Sequence, residues 1–235
     1  MTGVSRPGSL PLNVAATATG TRALGPGVRS AVWVQGCPFD CAGCVAPDWI
    51  PDRPARAVTP EVLAEELCAD PAVEGLTFSG GEPMAQAAGL AELIRLARLR
   101  RPELSLVCFT GYRLQRLRAA APSPGVTDLL AAVDVLIDGR YVAALNDDRG
   151  LRGSSNQRIH HLTDRLRGEA DYFDGPRRAE IRLGTRDVLV VGVPPRGLLD
   201  AVDTALNGPP RSGAGSAVAA PGGRPAESVE TGDQR

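Results

Sequence analysis

The chain has 235 residues, and its 26 Lys and Arg against 27 Asp and Glu give a formal net charge of -1. This length suits one globular domain, and the balanced charge gives no reason to expect nucleic acid or an anionic membrane surface as a partner. No apolar run approaches the roughly 20 residues of a membrane-spanning helix, and the N-terminus lacks the apolar core of a signal peptide, so we expect a cytoplasmic location.

The composition along the chain predicts one folded domain between two irregular ends. Residues 1–12 are expected to be a disordered N-terminus, residues 13–206 to form the domain, and residues 207–235 to form a disordered C-terminal tail. The tail consists largely of Gly, Ala, Pro, Ser and charged residues. Such a composition cannot bury enough apolar surface to order itself.

Four short apolar runs predict buried strands, because each is bounded by turn residues and is too short for a helix. These runs cover residues 31–34, 75–79, 104–109 and 133–137. One helix is predicted to begin at Thr59-Pro60-Glu61, which has a capping Thr and Pro in the first helical position. A second covers about residues 85–100. The alternation predicts an α/β fold, a mostly parallel sheet with outer helices, open or curled into a partial barrel.

The last part of the domain has a different pattern. Residues 163–179 are charged and loop-like. Two apolar runs, residues 181–183 and 188–193, predict a hairpin whose turn is residues 184–187. A short helix over about residues 196–206 then closes the domain.

Three cysteines follow the first predicted strand with C-x3-C-x2-C spacing. They are Cys37, Cys41 and Cys44. Iron–sulfur clusters are normally held by four cysteine thiolates. Three thiolates this close in sequence can hold three irons of a four-iron cluster, which leaves the fourth iron open for a ligand or substrate.

Other interpretations of these cysteines remain open on spacing alone. A structural zinc site wants four ligands and usually pairs two C-x2-C units, and the two histidines of this chain, His160 and His161, are far away. A disulfide framework suits a small secreted domain. A thioredoxin-like redox pair would use only Cys41 and Cys44. Cys68 and Cys108 are predicted to be small core residues.

Further polar or glycine-rich segments follow the other strands. Gly80-Gly81-Glu82-Pro83, Thr110-Gly111-Tyr112 and Asp138-Gly139 each end a predicted strand. Ligand sites of such sheets lie at the carboxyl ends of the strands, so we expect these segments to meet beside the cysteines. Each has a plainer alternative, a tight turn, a helix entry or a turn cap. The polar segment 153–158 could line a cofactor or form a surface loop.

The order of these motifs is similar to that of the radical S-adenosylmethionine superfamily. The cysteine loop after Trp33-Val34-Gln35-Gly36, the Gly-Gly-Glu and Thr-Gly-Tyr segments, and Arg152-Gly153-Ser154-Ser155-Asn156-Gln157-Arg158 carry the resemblance. It covers roughly residues 12–161. Within the superfamily the chain resembles the glycyl-radical-enzyme activases, and among them those of anaerobic ribonucleoside-triphosphate reductase. The segment 163–206 extends beyond a minimal activase.

The resemblance implies a partial β/α barrel with one 4Fe-4S cluster and S-adenosylmethionine as cofactors. It implies that Cys37, Cys41 and Cys44 ligate three irons. It implies that the methionyl end of S-adenosylmethionine is held by Gly80, Gly81 and Glu82. Candidate contacts to its ribose or adenine are Thr110, Asp138 and Asn156.

The implied activity is reductive cleavage of S-adenosylmethionine to a 5′-deoxyadenosyl radical, which takes a hydrogen atom from a glycine of a ribonucleotide reductase-like partner. A flavodoxin or ferredoxin-type protein would supply the electron. Two alternatives stay open: a radical enzyme acting directly on a small molecule or peptide, and a non-enzymatic zinc or iron–sulfur interaction module.

Overall fold

The computed structural model describes residues 11–184 and 188–208. Its main sheet has seven strands in the order β3-β1-β2-β4-β5-β6-β7. The strands of this sheet are β1 (Leu12–Thr21), β2 (Arg29–Val34), β3 (Arg56–Val58), β4 (Gly75–Gly80), β5 (Ser105–Thr110), β6 (Val135–Asp138) and β7 (Arg158–His161). A separate antiparallel hairpin is formed by β8 (Ala179–Leu183) and β9 (Val188–Gly192).

The centre of the main sheet is parallel. Strands β2, β4, β5 and β6 pair in parallel, while β1 and β7 run antiparallel to their neighbours. Because β3 is antiparallel to β1, five of the seven strands point the same way. The predicted α/β class and mostly parallel sheet are therefore confirmed.

Four helices connect the parallel strands and cover one face of the sheet. They are α1 (Pro60–Leu67), α2 (Ala87–Arg100), α3 (Leu114–Ala119) and α4 (Val126–Ala132). The Thr59 hydroxyl accepts a hydrogen bond from the backbone N–H of Val62 and caps α1, as predicted. Because side chains alternate along a strand, Val32 and Val34 pack against the helices while Trp33 points to the opposite face.

The opposite face is covered by the last part of the chain. Helix α5 (Ala170–Asp174) and the hairpin lie there, and Phe173 and Val191 are fully buried. Phe173 packs with Val107, Val135 and Ile137 of the sheet. Helix α6 (Leu198–Asn207) follows the hairpin. The predicted hairpin and terminal helix are thus confirmed, although turn residues 185–187 lie outside the described residues.

The predicted ends of the domain need small corrections. Strand β1 begins at Leu12, which is buried in the core, and α6 ends at Asn207. Leu12, predicted to lie in the disordered N-terminus, instead pairs with Val58 in the sheet. Asn207, predicted to begin the tail, instead continues the last turn of α6. Residues 1–10 and 209–235, where most of the predicted disorder falls, are outside the described residues.

The helices of the described residues are all too short or too polar to cross a membrane.

Candidate active site

The three cysteines lie on a loop that follows the carboxyl end of β2. Both ends of this loop are joined by backbone hydrogen bonds, from Gly36 N–H to the Trp49 carbonyl (2.9 Å) and from Cys37 N–H to the Ile50 carbonyl (2.9 Å). Within the loop, Cys44 N–H donates to the Cys41 carbonyl at 3.0 Å. The three thiols are half-buried, so the loop presents sulfur ligands from a defined backbone.

The Gly-Gly-Glu segment at the end of β4 is bonded directly to this loop. Gly81 N–H donates to the Val34 carbonyl (2.7 Å), and Glu82 N–H donates to the Gly36 carbonyl (2.9 Å). A Cβ on Gly81 would lie 2.1 Å from the Gly36 carbonyl oxygen. Gly80 has φ +106, and a Cβ there would lie 2.4 Å from the backbone nitrogen of Val34. Both positions need glycine because the two segments are in backbone contact.

Glu82 is buried beneath the segment and is bonded on both oxygens. Its carboxylate accepts from Met84 N–H, from Gly111 N–H and from the Thr110 hydroxyl, each at 2.8 Å. Burial raises the pKa of Glu82 to about 7, although these three donors act in the opposite direction. The side chain therefore ties the ends of β4 and β5 together while remaining on the wall of the site.

A cavity of about 440 Å³ opens between these segments. Its wall includes all three loop cysteines, the Gly-Gly-Glu segment and Thr110, and this volume is within the range usual for small-molecule and cofactor sites. The structure thus brings seven of the nine predicted site residues together. They are Cys37, Cys41, Cys44, Gly80, Gly81, Glu82 and Thr110.

Asp138 and Asn156 are not among the residues that line the cavity. The buried Asp138 carboxylate accepts from Leu114 N–H (2.7 Å) at the start of α3, lies 3.2 Å from the Arg113 guanidinium and 3.0 Å from His160 Nε2. Asn156 donates to the Arg140 carbonyl at 2.9 Å. These partners hold the loops behind the cavity wall, and the contacts to ribose or adenine stay predictions.

Comparison with known proteins shows the family to which this chain belongs. The family model described as "4Fe-4S single cluster domain" matches residues 23–160, more than half of the chain. The anaerobic ribonucleoside-triphosphate reductase-activating protein of Escherichia coli (strain K12) is 32% identical over 145 residues, 59% of this chain and 91% of that protein. The chain belongs to the 4Fe-4S single cluster domain family.

Two further relatives are also named as activating proteins. The anaerobic ribonucleoside-triphosphate reductase-activating protein of Enterobacteria phage T4 is 30% identical over 144 residues, 60% of this chain and 88% of that protein. The pyruvate formate-lyase-activating enzyme of Clostridium pasteurianum is 34% identical over 79 residues, 32% of this chain and 33% of that protein. These relatives confirm the predicted radical S-adenosylmethionine superfamily and the predicted class, an activating enzyme. They also confirm the two predicted cofactors, a 4Fe-4S cluster and S-adenosylmethionine.

The donor set fits the cluster of this family. The three thiolates would each bind a different iron of a four-iron cluster, whereas a single zinc ion gathers its ligands around one point. In the described part of the chain no three Cys, His, Asp or Glu side chains are gathered to hold one metal ion, yet three thiols surround one cavity. Three thiols on the wall of one cavity fit a cluster whose fourth iron stays open.

The protonation of the thiols is coupled to cluster binding. Burial raises the pKa of Cys37 to about 11 and raises the pKa of Cys44, partly against backbone hydrogen bonds to both sulfurs. Metal ligands must be thiolates, so loading the site releases protons.

Several cavity residues were missed by sequence analysis. Arg140 places its guanidinium 4.4 Å above the Phe39 ring of the cysteine loop, and Gln157 holds its loop by donating to the Gly139 carbonyl at 2.7 Å. Arg140 directly follows the quoted Asp138-Gly139, and Gln157 lies in the polar segment 153–158, which was named as a candidate cofactor wall without singling out this residue. Arg177 also lines the cavity, but it lies in a charged segment with no motif to mark it. Cys108 is buried as predicted, and Cys68 is half-buried against the core.

Proposed function

We propose that this protein uses its cluster and S-adenosylmethionine to install a glycyl radical on a ribonucleotide reductase-like partner. The observation that carries the proposal is the shared cavity of the three loop thiols and the Gly-Gly-Glu segment. When bound, the two cofactors together supply a 5′-deoxyadenosyl radical able to take a hydrogen atom from a glycine Cα. The names of the relatives, which are activating proteins of glycyl-radical enzymes, support this choice of partner.

The residues of the chain would hold the cofactors and exclude water. Cys37, Cys41 and Cys44 would each bind one iron. The backbone of Gly80 and Gly81, which is free of side-chain bulk, would approach the methionyl end of S-adenosylmethionine, and the Glu82 carboxylate would face its ammonium group. Trp33 and Trp49 also line the cavity, their rings 5.8 Å apart, and supply an apolar floor. A dry site protects a reactive carbon radical from side reactions.

The finer parts of the proposal rest on the family resemblance. The mostly parallel sheet with helices on one face supports a partial β/α barrel. A flavodoxin or ferredoxin-type electron donor and a cytoplasmic location belong to the same proposal.

The test is electron paramagnetic resonance on the reconstituted, reduced protein incubated anaerobically with S-adenosylmethionine and the glycyl-radical reductase of the same genome. We expect a glycyl radical on the reductase together with 5′-deoxyadenosine. Cleavage of S-adenosylmethionine with no protein radical would contradict the activase role.

A second candidate function is a radical enzyme that acts directly on a small molecule or peptide. The observation that favours it is the segment 163–208, which lies beyond the family model and contributes to the cavity wall. In that case 5′-deoxyadenosine would accumulate in step with a modified small product.

A further inference from the structure

The chain continues past the part that the family model matches, and this continuation reaches the active-site cavity. The family model ends at residue 160, whereas all residues of the range 192–200 except Leu198 line the cavity with the cysteine loop. We call residues 192–200 the C-terminal strap. It runs from the end of β9 into the first turn of α6, and its cavity-lining members include Pro194, Pro195 and Leu199.

A buried arginine joins the strap to the polar segment 153–158 and to Arg152, which precedes it. The Arg177 side chain is 2% exposed. It donates to the Pro194 carbonyl of the strap at 3.2 Å and to the carbonyls of Arg152 and Gly153 at 2.9 Å each. Arg177 also forms a 3.4 Å ion pair with Asp148. The strap is therefore an integral wall of the site.

Exposed apolar side chains lie on the loops around the cysteines. Val45, next to Cys44, is 57% exposed and lines the cavity, and Leu145 is 44% exposed. The loop of Leu145 touches the cysteine loop, since a Cβ on Gly43 would lie 3.5 Å from the Ala143 Cβ. We call Val45, Val142, Leu145 and the strap residues Pro194, Pro195 and Leu199 the apolar rim.

A glycine that reacts inside the cavity belongs to a continuous chain. Its neighbours on both sides must therefore cross the edge of the cavity. The charged strap residues that line the cavity are Arg196 and Asp200, of opposite sign, so the strap itself offers no net charge to a partner. What its Pro and Leu side chains offer is apolar surface on the wall of the cavity that the cysteines also line.

We propose that the apolar rim, and above all the strap, binds the glycine-bearing segment of the partner protein. The segment that fits is an extended peptide with apolar side chains flanking a glycine, which has no side chain to collide with the cavity wall. This inference rests on the proposed activase function and deepens it: the strap supplies partner specificity from outside the part of the chain matched by the family model.

The experiment compares two products in the same anaerobic reaction with the glycyl-radical reductase of the same genome. The glycyl radical is measured by electron paramagnetic resonance and total 5′-deoxyadenosine by chromatography. For Leu199→Asp and Leu145→Asp we expect the ratio of radical to 5′-deoxyadenosine to fall about tenfold, the size expected for an interface residue. The milder Leu199→Ser should lower the ratio less.

Matched control variants are available on exposed leucines away from the cavity. Leu99→Asp on α2 and Leu183→Asp in β8 make the same chemical change at side chains that are 68% and 77% exposed. Both should keep the wild-type ratio. Iron and sulfide content, measured on every variant, identifies a loss of the site itself.

Four results overturn the proposal and are distinguishable. If the rim variants keep the wild-type ratio, the rim does not bind the partner, although the activase function stands. If radical and 5′-deoxyadenosine fall together, or if the variants alter cleavage in the absence of the partner, the rim serves the cofactors or the chain's own ends instead. If the variants alter the oligomeric state, the rim binds a second copy of the chain. If the wild-type protein forms no radical on the reductase, the proposed function itself fails.

Discussion

Replacement of Gly81 by alanine tests whether the Gly-Gly-Glu segment and the cysteine loop act as one unit. The new Cβ would lie 2.1 Å from the Gly36 carbonyl oxygen, while real Cβ atoms stay at least 3.0 Å from such neighbours. One of the two backbones must therefore move by about 1 Å, and Gly36 directly precedes Cys37. Misplacing reacting groups by about 1 Å can lower a rate about a hundredfold. We expect a loss of that size in S-adenosylmethionine cleavage by Gly81→Ala.

The assay is 5′-deoxyadenosine formation by the reconstituted, reduced protein, with iron and sulfide content measured on the same samples. Gly168→Ala is the matched control, because a Cβ there would meet no atom within 4 Å; it should cleave at the wild-type rate. A Gly81→Ala protein with a full cluster and the wild-type rate would refute the contact between the two segments.

Three further predictions concern single side chains. Alanine in place of any loop cysteine should abolish cluster binding and cleavage, whereas Cys108→Ala should keep the cluster and lose about 1 kcal/mol of unfolding free energy in urea; a full cluster in a loop variant would exclude that cysteine as a ligand. Because burial raises the pKa of Glu82 from 4.5 to about 7, the folded protein binds this proton more tightly than the unfolded chain does. Its contribution to stability is complete below pH 4.5 and is lost as the pH rises through about 7, in total about 3 kcal/mol. Urea unfolding of the metal-free protein between pH 4.5 and 8 should show this loss relative to Glu82→Gln, and parallel stability curves for the two proteins would contradict it. Asp138→Asn should lower the free energy of unfolding by about 2 kcal/mol, because a neutral amide replaces the buried carboxylate that bonds Leu114 N–H and the Arg113 guanidinium. A raised KM for S-adenosylmethionine in Asp138→Asn would show that this carboxylate also contacts the cofactor.

The centre of the fold was predictable because its strands are short apolar runs. The runs at residues 75–79 and 104–109 correspond to β4 and β5 within one residue at each end. Strand β1 escaped prediction, since its sequence Leu-Asn-Val-Ala-Ala-Thr-Ala-Thr-Gly-Thr is rich in Ala and Thr and shows no apolar run. Its place in the sheet is set by pairing with β2 and β3, which no local pattern reveals.

The site was predictable where a motif follows a strand. The positions of the cysteine loop, Gly80 and Gly81 depend on local backbone geometry. The spacing of the cysteines and glycines in the sequence is enough to predict this geometry. Asp138 shows the limit, because its sequence position at the strand end gave no sign that its carboxylate caps α3 and contacts Arg113. The strap was invisible for a similar reason: it is brought to the cavity by long-range contacts, such as the hydrogen bonds of Arg177 to Pro194 and of Arg196 N–H to Asp148.

The most direct test of the central claim is electron paramagnetic resonance of the reduced, reconstituted protein before and after S-adenosylmethionine is added. If three loop thiolates leave one iron open for this cofactor, the cluster signal must change on its addition. A four-iron signal that stays the same at saturating S-adenosylmethionine would contradict the claim.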